Sequence, residues 1–333
     1  MTDRTIDWIE GEIHLIDQTR LPDELVVLRV TSLDALVDAI ARLAVRGAPA
    51  LGVAGALGVA LLARLQADEA SIRAGAARLR AARPTAVNLA WGVDRALARV
   101  PDGPDAVLAE ALAVRDEDIA ACAAMATRGA DLVRELIARP RIRVMTICNT
   151  GALAAVEHGT ALGVVEELHE RGMLEEALPL ETRPLLQGAR LTAWELARMG
   201  APYRLLVDGA AASVLARGLA DVVLIGADRI TANGDTANKV GSLSLALGAR
   251  NAGVPFLVVA PETTVDPAAA TGAGIRIEER GADEVTGFRD TRWAPEGART
   301  LNPAFDVTPA RLITAIVTDA RVIRTDRGET PSG

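Results

Sequence analysis

The hydrophobic and polar positions divide the chain into two parts with different predicted structures. In the first part, apolar side chains recur at helical spacing, for example after Ser32, which is a suitable N-cap. After Arg139, short runs of branched aliphatic residues alternate with helical patterns, which is typical of a parallel sheet. The sequence therefore predicts an α/β protein with a mostly helical N-terminal domain (1–139) and a parallel-sheet domain (140–325). Residues 326–333 are predicted to form a disordered tail.

The pattern also predicts the individual elements. The predicted strands of the sheet are Ile142–Ile147, Glu176–Leu180, Arg204–Val207, Val222–Ile225 and Pro255–Ala260. Helices are predicted between them at Ala152–His169, Gln187–Met199, Ala210–Gly218 and Gly241–Ala252, and a final helix at Pro309–Thr318. Before the sheet, a short hairpin or two strands are expected within residues 5–30, and two late helices at Asp105–Ala113 and Asp116–Ile137.

Polar side chains follow the predicted strands at the points where the strands end. Cys148 follows the first strand, Gln187 lies after the second, and Asp228 comes directly after the buried run Val222–Ile225, at the start of a polar loop that ends at Lys239. The carboxyl ends of parallel strands meet at one edge of an open sheet, and ligands bind there. A thiol, amides, carboxylates and cations at one edge can bind a phosphate, orient hydroxyls and move protons.

Each of these residues also has a structural interpretation. Asp228 could cap a helix and Lys239 could be a solvated surface residue, because loops of α/β proteins are often polar. A single cysteine is commonly a small buried apolar residue, and Cys122 is given that role. Cys148, placed between a strand and a predicted helix, would lie near a helix N-terminus, which favours the thiolate. The convergence of several polar loops favours the functional interpretation.

Composition and charge narrow the possible functions. The chain has 333 residues, half of them hydrophobic, with a net charge of −8 and no long basic run, which argues against nucleic acid as the main partner. Two cysteines cannot form a disulfide framework, so a reducing, cytoplasmic location is expected. The glycine-rich stretch Ala48–Ala63 has the length of a core helix, and no membrane span is expected. Its glycines are spaced by three residues with no strand before them, which disfavours a nicotinamide-dependent dehydrogenase.

Several longer segments resemble the signatures of the methylthioribose-1-phosphate isomerase family, which shares its fold with regulatory subunits of initiation factor 2B. The matching segments are Arg46-Gly-Ala-Pro-Ala50, Cys148-Asn-Thr-Gly-Ala-Leu-Ala154, Gly159-Thr-Ala-Leu162, Glu181–Glu195 and Gly226–Lys239. The resemblance covers about Ile13 to Val322. It implies a helical N-terminal domain, a Rossmann-like C-terminal domain, a homodimer, and an isomerase that acts on a small phosphorylated sugar without a cofactor or a metal.

The resemblance also implies roles for particular residues. Asp228 matches the family's proton donor, and Cys148 matches the thiol thought to assist the transition state. The positions that match substrate-binding residues are Arg46, Gly47, Ala48, Arg83, Gln187, Asn238 and Lys239. Two arginines and a lysine suit a phosphate dianion, and amides suit hydroxyls because each offers a donor and an acceptor.

Two positions depart from the family pattern and leave the substrate's 5-substituent open. Ile147 and Leu243 stand where the family usually has His and Tyr. If these side chains line the pocket, it should be drier and should favour an apolar 5-substituent over a second phosphate. Relatives that act on 5-deoxyribose 1-phosphate or ribose 1,5-bisphosphate share the scaffold. A non-catalytic regulatory protein is a further alternative, although such subunits generally lack the Cys and Asp pair.

Overall fold

Helices dominate the first part of the computed structural model, which describes residues 4–66, 68–83 and 87–333. The chain begins with an antiparallel sheet of β1 (Ile6–Ile9), β2 (Glu12–Ile16) and β3 (Val27–Val30). The helices that follow are α1 (Leu33–Ala41), α2 (Ala48–Leu65), α3 (Glu69–Arg80), α4 (Val87–Leu97) and α5 (Pro104–Leu136). The predicted N-cap is confirmed, because the Ser32 side chain accepts a hydrogen bond from the backbone N–H of Ala35.

Strands and helices alternate after α5. The strands are β4 (Ile142–Thr146), β5 (Leu174–Pro179), β6 (Val222–Ile225), β7 (Arg229–Thr231), β8 (Thr236–Lys239), β9 (Phe256–Val259), β10 (Val265–Asp266), β11 (Gly287–Phe288), β12 (Thr291–Arg292), β13 (Phe305–Thr308), β14 (Ala315–Val317) and β15 (Val322–Ile323). The helices are α6 (Ala161–Glu170), α7 (Ala193–Met199), α8 (Ala211–Ala216), α9 (Ser242–Ala252) and α10 (Asp283–Thr286).

In the described part of the chain, a six-stranded sheet has the order β15-β14-β9-β6-β4-β5, and its pairs are parallel except for β14 with β15. Alternate residues of β6 enter two separate cores: Val222 and Leu224 pack towards α5 and α6, whereas Val223 and Ile225 pack towards α8 and α9. Because both faces are covered, the strand is apolar at every position. The predicted mixed α/β architecture with a parallel sheet is confirmed.

Several predicted elements differ from the structure. The predicted helix at Pro309–Thr318 is wrong, because Ala315–Val317 forms β14, which pairs in parallel with β9. Apolar residues at 312, 313, 316 and 317 mimic helical spacing, but a strand buried on both faces gives the same pattern. The segment Arg204–Val207 is not a regular strand: its Leu206 makes an isolated parallel bridge to Leu180, the residue after β5. The helix expected from Ala152 begins at Ala161.

Long-range contacts explain other differences. The two late helices of the first part are one continuous helix, α5, whose first half packs in the helical core and whose second half packs against the sheet. The segment within residues 5–30 forms three strands rather than two. Residues 326–333, predicted to be a disordered tail, make defined contacts: Arg321 donates a hydrogen bond to the Pro331 carbonyl, and Glu329 accepts one from the backbone N–H of Arg324.

Helix α2 is long and apolar enough to cross a membrane by length and composition, but 72% of this segment is buried inside the molecule. It packs against α4 and α5 in the core of the helical part. Its burial explains why nearly every position is apolar or glycine, and it gives α2 the role of a core helix.

Candidate active site

Every residue predicted for the site lines one cavity at the carboxyl end of the parallel sheet. The helical part contributes Arg46, Gly47, Ala48 and Arg83, and the sheet part contributes Cys148, Gln187, Asp228, Asn238 and Lys239. The two parts approach closely here, since a Cβ atom at Gly47 would lie 2.4 Å from the Ala154 carbonyl oxygen. The structure thus brings the predicted residues together, and their individual roles remain predictions. Residues 84–86, which follow Arg83 in its motif, lie outside the described residues.

Asp228 is placed by a β-hairpin where the sequence suggested a loop. Strands β7 and β8 pair with Arg229 opposite Ala237, and the backbone N–H of Asp228 donates to the Ala237 carbonyl at 2.9 Å. This register brings Asp228 alongside Asn238 at the cavity. Burial raises the pKa of Asp228 above that of an ordinary carboxyl, although the positive charges of Lys239 and Arg83 oppose the shift. The position therefore favours a protonated carboxyl group, which can donate a proton.

Lys239 is held beneath the cavity by β13, which pairs with β8. Its Nζ donates to the Ala304 carbonyl at 2.7 Å and lies 4.7 Å from the centre of the Phe305 ring. Burial lowers the pKa of Lys239, and the nearby Cys148 and Asp228 oppose this shift. An ammonium group in this position supplies positive charge to the cavity while its own hydrogen bond fixes its place.

Cys148 adopts a left-handed backbone conformation, with φ of 66°. Two threonines fix this turn: the Cys148 N–H donates to Thr182 Oγ1 at 2.8 Å, and Thr192 Oγ1 donates to the Cys148 carbonyl at 2.6 Å. Such a conformation is costly for a residue with a side chain, and it is found most often at functional sites. The expected helix N-terminus beside Cys148 is absent from this described segment, because the next α-helix begins at Ala161.

Arg46 and Gln187 each carry a buried polar atom that has no hydrogen-bond partner among the described residues: Arg46 Nε and Gln187 Oε1. The other guanidinium nitrogens of Arg46 are occupied, because they donate to the carbonyl and the side-chain oxygen of Asn149. An unsatisfied buried polar group costs free energy unless a ligand pairs with it. Both residues line the cavity, and each carries a polar atom that no described protein group satisfies.

The departures from the family pattern lie outside the cavity lining. Ile147 is 1% exposed and packs in the core shared with α8 and α9, and Leu243 lies at the start of α9, where its N–H donates to Asp306. The expectation that these two residues make the pocket drier is therefore wrong, since alternate strand residues point to opposite faces. The apolar part of the lining comes instead from Leu43, Pro49, Ala154, Leu185, Pro261 and Phe305.

Two of the cavity-lining residues that were not predicted from the sequence are Phe305 and Arg280. Phe305 arrives through the pairing of β13 with β8, opposite Lys239. Arg280 is held by ion pairs to Glu278 and Glu284. No local signal marks Arg280, because its position depends on long-range packing. The alternation of Phe305 and Val307 with polar residues was a detectable sign of a strand. Among the described residues, no cluster of three or more His, Cys, Asp or Glu residues could hold a metal ion.

Residues 44–325 match the model of the initiation factor 2 subunit family. The chain belongs to this family. Solved structures similar to this chain include an enzyme and a regulatory subunit. A 5-methylthioribose 1-phosphate isomerase from Pyrococcus horikoshii has a TM-score of 0.87 and 38% identity over 96% of this chain and 92% of that one. An initiation factor eIF-2B delta subunit from A. fulgidus has a TM-score of 0.85 and 39% identity over 96% of each chain. The family fold alone therefore does not separate enzymes from regulatory subunits.

Curated relatives are similar over nearly the whole chain. The methylthioribose-1-phosphate isomerase of Anaeromyxobacter sp. strain K is 53% identical over 94% of this chain and 91% of that protein. The 5-deoxyribose 1-phosphate isomerase of Moorella thermoacetica is 48% identical over 96% of this chain and 93% of that protein. A probable bifunctional methylthioribose-1-phosphate isomerase/methylthioribulose-1-phosphate dehydratase of Nocardia farcinica is 53% identical over 96% of this chain, which spans 59% of its length.

Proposed function

We propose that this chain is an aldose–ketose isomerase that converts 5-methylthioribose 1-phosphate to 5-methylthioribulose 1-phosphate, a step of methionine salvage. The observation that carries the proposal is one cavity lined by the buried acid Asp228, the cations Arg46 and Lys239, and the amides Gln187 and Asn238. The cations suit a phosphate dianion, and the amides suit sugar hydroxyls. The names of the relatives that are about 50% identical support the same activity.

The chemistry requires an acid because the 1-phosphate blocks the anomeric oxygen. In this proposal Asp228 donates a proton to the ring oxygen as the bond between that oxygen and C1 breaks. One hydrogen then moves from C2 to C1, and the C2 hydroxyl becomes the ketone as its proton returns to the Asp228 carboxylate. The hydrogen can move as a proton through an enolate or directly as a hydride. Both routes conserve all atoms and electrons of the substrate and need no external oxidant. Burial, which raises the pKa of Asp228, suits it to this role.

The finer features of the protein are part of the same proposal. The second domain, from about residue 140, is a Rossmann-like unit, and residues 1–139 form the helical domain that covers the site. The enzyme is a cytoplasmic homodimer that needs no cofactor. The second candidate function is a regulatory protein, which the similarity to the A. fulgidus initiation factor subunit favours. Sugar-phosphate turnover by the purified protein separates the two functions.

The 5-substituent is expected to be apolar. Arg280, one of the cations around the cavity, is already paired with two glutamates. The remaining positive charge suits one phosphate, and a second phosphate would lie against apolar lining such as Leu185 and Phe305. Desolvating an ion that has no partner is costly.

We therefore expect the 5-methylthio and 5-deoxy sugars to differ by about 10- to 200-fold in kcat/KM, because they differ only by one sulfur atom and one methylene group. Ribose 1,5-bisphosphate should be the poorest of the three substrates. Initial rates of ketose formation under identical conditions measure the three constants. A clear preference for the bisphosphate would refute the proposed substrate class.

Cys148→Ser is expected to lower kcat by at least about tenfold. General acid–base groups typically contribute about 10²- to 10⁴-fold, so this is a low estimate. The hydroxyl is a weaker acid than the thiol and holds its proton during the reaction. Cys122→Ser is the matched control, because Cys122 is fully buried in the core between α5 and the sheet. Its variant should lose stability but keep kcat per folded molecule. Equal kcat values for the two variants would remove Cys148 from the mechanism.

A further inference from the structure

The buried carboxylate of Glu195 lies directly behind the candidate active site. The residue is 5% exposed, and both of its oxygens accept hydrogen bonds. Oε1 accepts from the backbone N–H of Leu153 at 3.1 Å, and Oε2 accepts from the side-chain amide of Asn149. Each oxygen accepts one hydrogen bond, which favours the ionised carboxylate.

This carboxylate determines which way the Asn149 side chain points. Because the Asn149 amide nitrogen donates to Glu195, its oxygen Oδ1 faces the opposite way and accepts from Arg46 NH2 at 2.8 Å. The same Arg46 nitrogen also donates to the Asn149 carbonyl at 2.8 Å. Asn149 thus links a buried anion to a buried cation that do not touch. With two guanidinium nitrogens held, Nε is the Arg46 nitrogen left without a partner among the described residues.

The space around the carboxylate is tightly filled. A Cβ atom at Gly151 would lie 2.5 Å from Glu195 Oε2, so the loop after β4 packs directly against the carboxylate and has no room for a side chain at this position. Thr192, one helical turn before Glu195 in the chain, donates to the Cys148 carbonyl at 2.6 Å. The segment that carries Glu195 therefore contacts both Cys148 and Asn149. A shift of Glu195 would disturb the loop without removing any group from the cavity.

We propose that Glu195 is a positioning residue: by holding the Asn149 amide, it fixes the Arg46 guanidinium at the wall of the cavity, where Arg46 binds the substrate. The inference rests on the proposed function, because the reaction defines what Arg46 must bind. Glu195 lies outside the cavity lining and touches no reacting atom. Its effect should appear mainly in KM, since Arg46 is expected to bind the substrate and not to transfer a proton.

The charges around Glu195 make its effect depend on pH. Burial raises its pKa to about 7, against the hydrogen bonds from Asn149 and Leu153 and the charge of Arg46, while Glu166 adds to the rise. Arg198 lies beside Glu195 and Glu166, and His158 pairs with Glu166. As pH falls through this range, protonation of Glu195 should release Asn149 and raise KM. Asp228 acts in the opposite direction, because an acid loses its proton as pH rises.

The test compares Glu195→Gln with Glu166→Gln, its matched control, using the purified full-length chain and 5-methylthioribose 1-phosphate. In Glu195→Gln one of the two N–H donors faces an NH2 group, and kcat/KM should fall by about 10- to 100-fold, mainly through KM. In wild-type protein kcat/KM should fall below a pH of about 7, where Glu195 becomes protonated. In Glu195→Gln this acid limb should move to a pH of about 6, where the substrate phosphate titrates. Glu166→Gln should keep KM and should move the acid limb only slightly to lower pH, because it removes one charge that raises the pKa of Glu195. Wild-type KM and an unchanged limb in Glu195→Gln would overturn the inference.

Glu195→Asp provides a second test if Glu195→Gln fails to fold. It keeps the charge but withdraws both oxygens by one methylene group, so KM should rise while kcat stays within about threefold of wild type. A wild-type KM in this variant would overturn the inference. Failure of the proposed function has a different signature, because wild-type protein would then not convert the sugar phosphate at all.

Discussion

Asp228→Asn is expected to lower turnover by about 10²- to 10⁴-fold while the protein keeps its fold, because an amide cannot donate the proton that opens the sugar ring. The substitution is nearly isosteric, and the backbone contact from the Asp228 N–H to the Ala237 carbonyl is retained. Turnover and thermal unfolding should be measured on the same preparation.

Asp266→Asn is the matched control, since Asp266 lies in β10, pairs with Arg229 at 3.6 Å and lines no part of the cavity. It should turn over at nearly the wild-type rate. In the wild-type enzyme, the rate should fall as pH rises through the raised pKa of Asp228, because the acid is active only when protonated. Near wild-type turnover by Asp228→Asn would exclude Asp228 as the proton donor.

Arg46→Ala is expected to weaken substrate binding by about 1.5–3 kcal/mol, which corresponds to roughly 10- to 150-fold in KM, because a charge-assisted hydrogen bond to the substrate is lost. KM reports this loss if substrate dissociates faster than it reacts, so a direct binding measurement should accompany the kinetics. The substitution also removes the hydrogen bonds to Asn149, and some loss of stability should follow.

Arg115→Ala separates lost stability from lost binding. Arg115 is also largely buried and pairs with Asp7 and Asp116, but it does not line the cavity. Its removal should reduce stability and leave KM unchanged. If KM is the same in Arg46→Ala and Arg115→Ala, Arg46 does not bind the substrate.

Cys148 and Asp228 could be placed at the cavity from the sequence because they follow strands that the hydrophobic pattern makes visible, whereas Arg46, Gly47, Ala48 and Arg83 were assigned only through the family resemblance. Asp228 comes directly after the fully apolar run of β6, and Cys148 follows β4, so both fall at the carboxyl edge of the sheet. The parallel sheet and the helical first part followed from the same pattern. These features depend on local periodicity, which is present in the sequence itself.

Features that depend on pairing between distant segments could not be predicted in this way. Phe305 reaches the site only because β13 pairs with β8, which lies far earlier in the chain. The sequence of β14 predicts a helix because burial on both faces removes the alternation that marks a strand. Ile147 precedes Cys148 in the chain, but its side chain packs in the core shared with α8 and α9 and does not line the cavity.

The central claim is that the chain isomerises a sugar 1-phosphate with Asp228 as the acid. The most direct measurement follows 5-methylthioribose 1-phosphate, labelled with ¹³C at C1, by NMR in the presence of the purified wild-type protein and, in parallel, of Asp228→Asn. We predict that the anomeric C1 signal is replaced by the C1 methylene signal of the ketose in the wild-type sample and persists in the variant sample. Persistence of the anomeric signal with wild-type protein, or equal conversion in both samples, would contradict the claim.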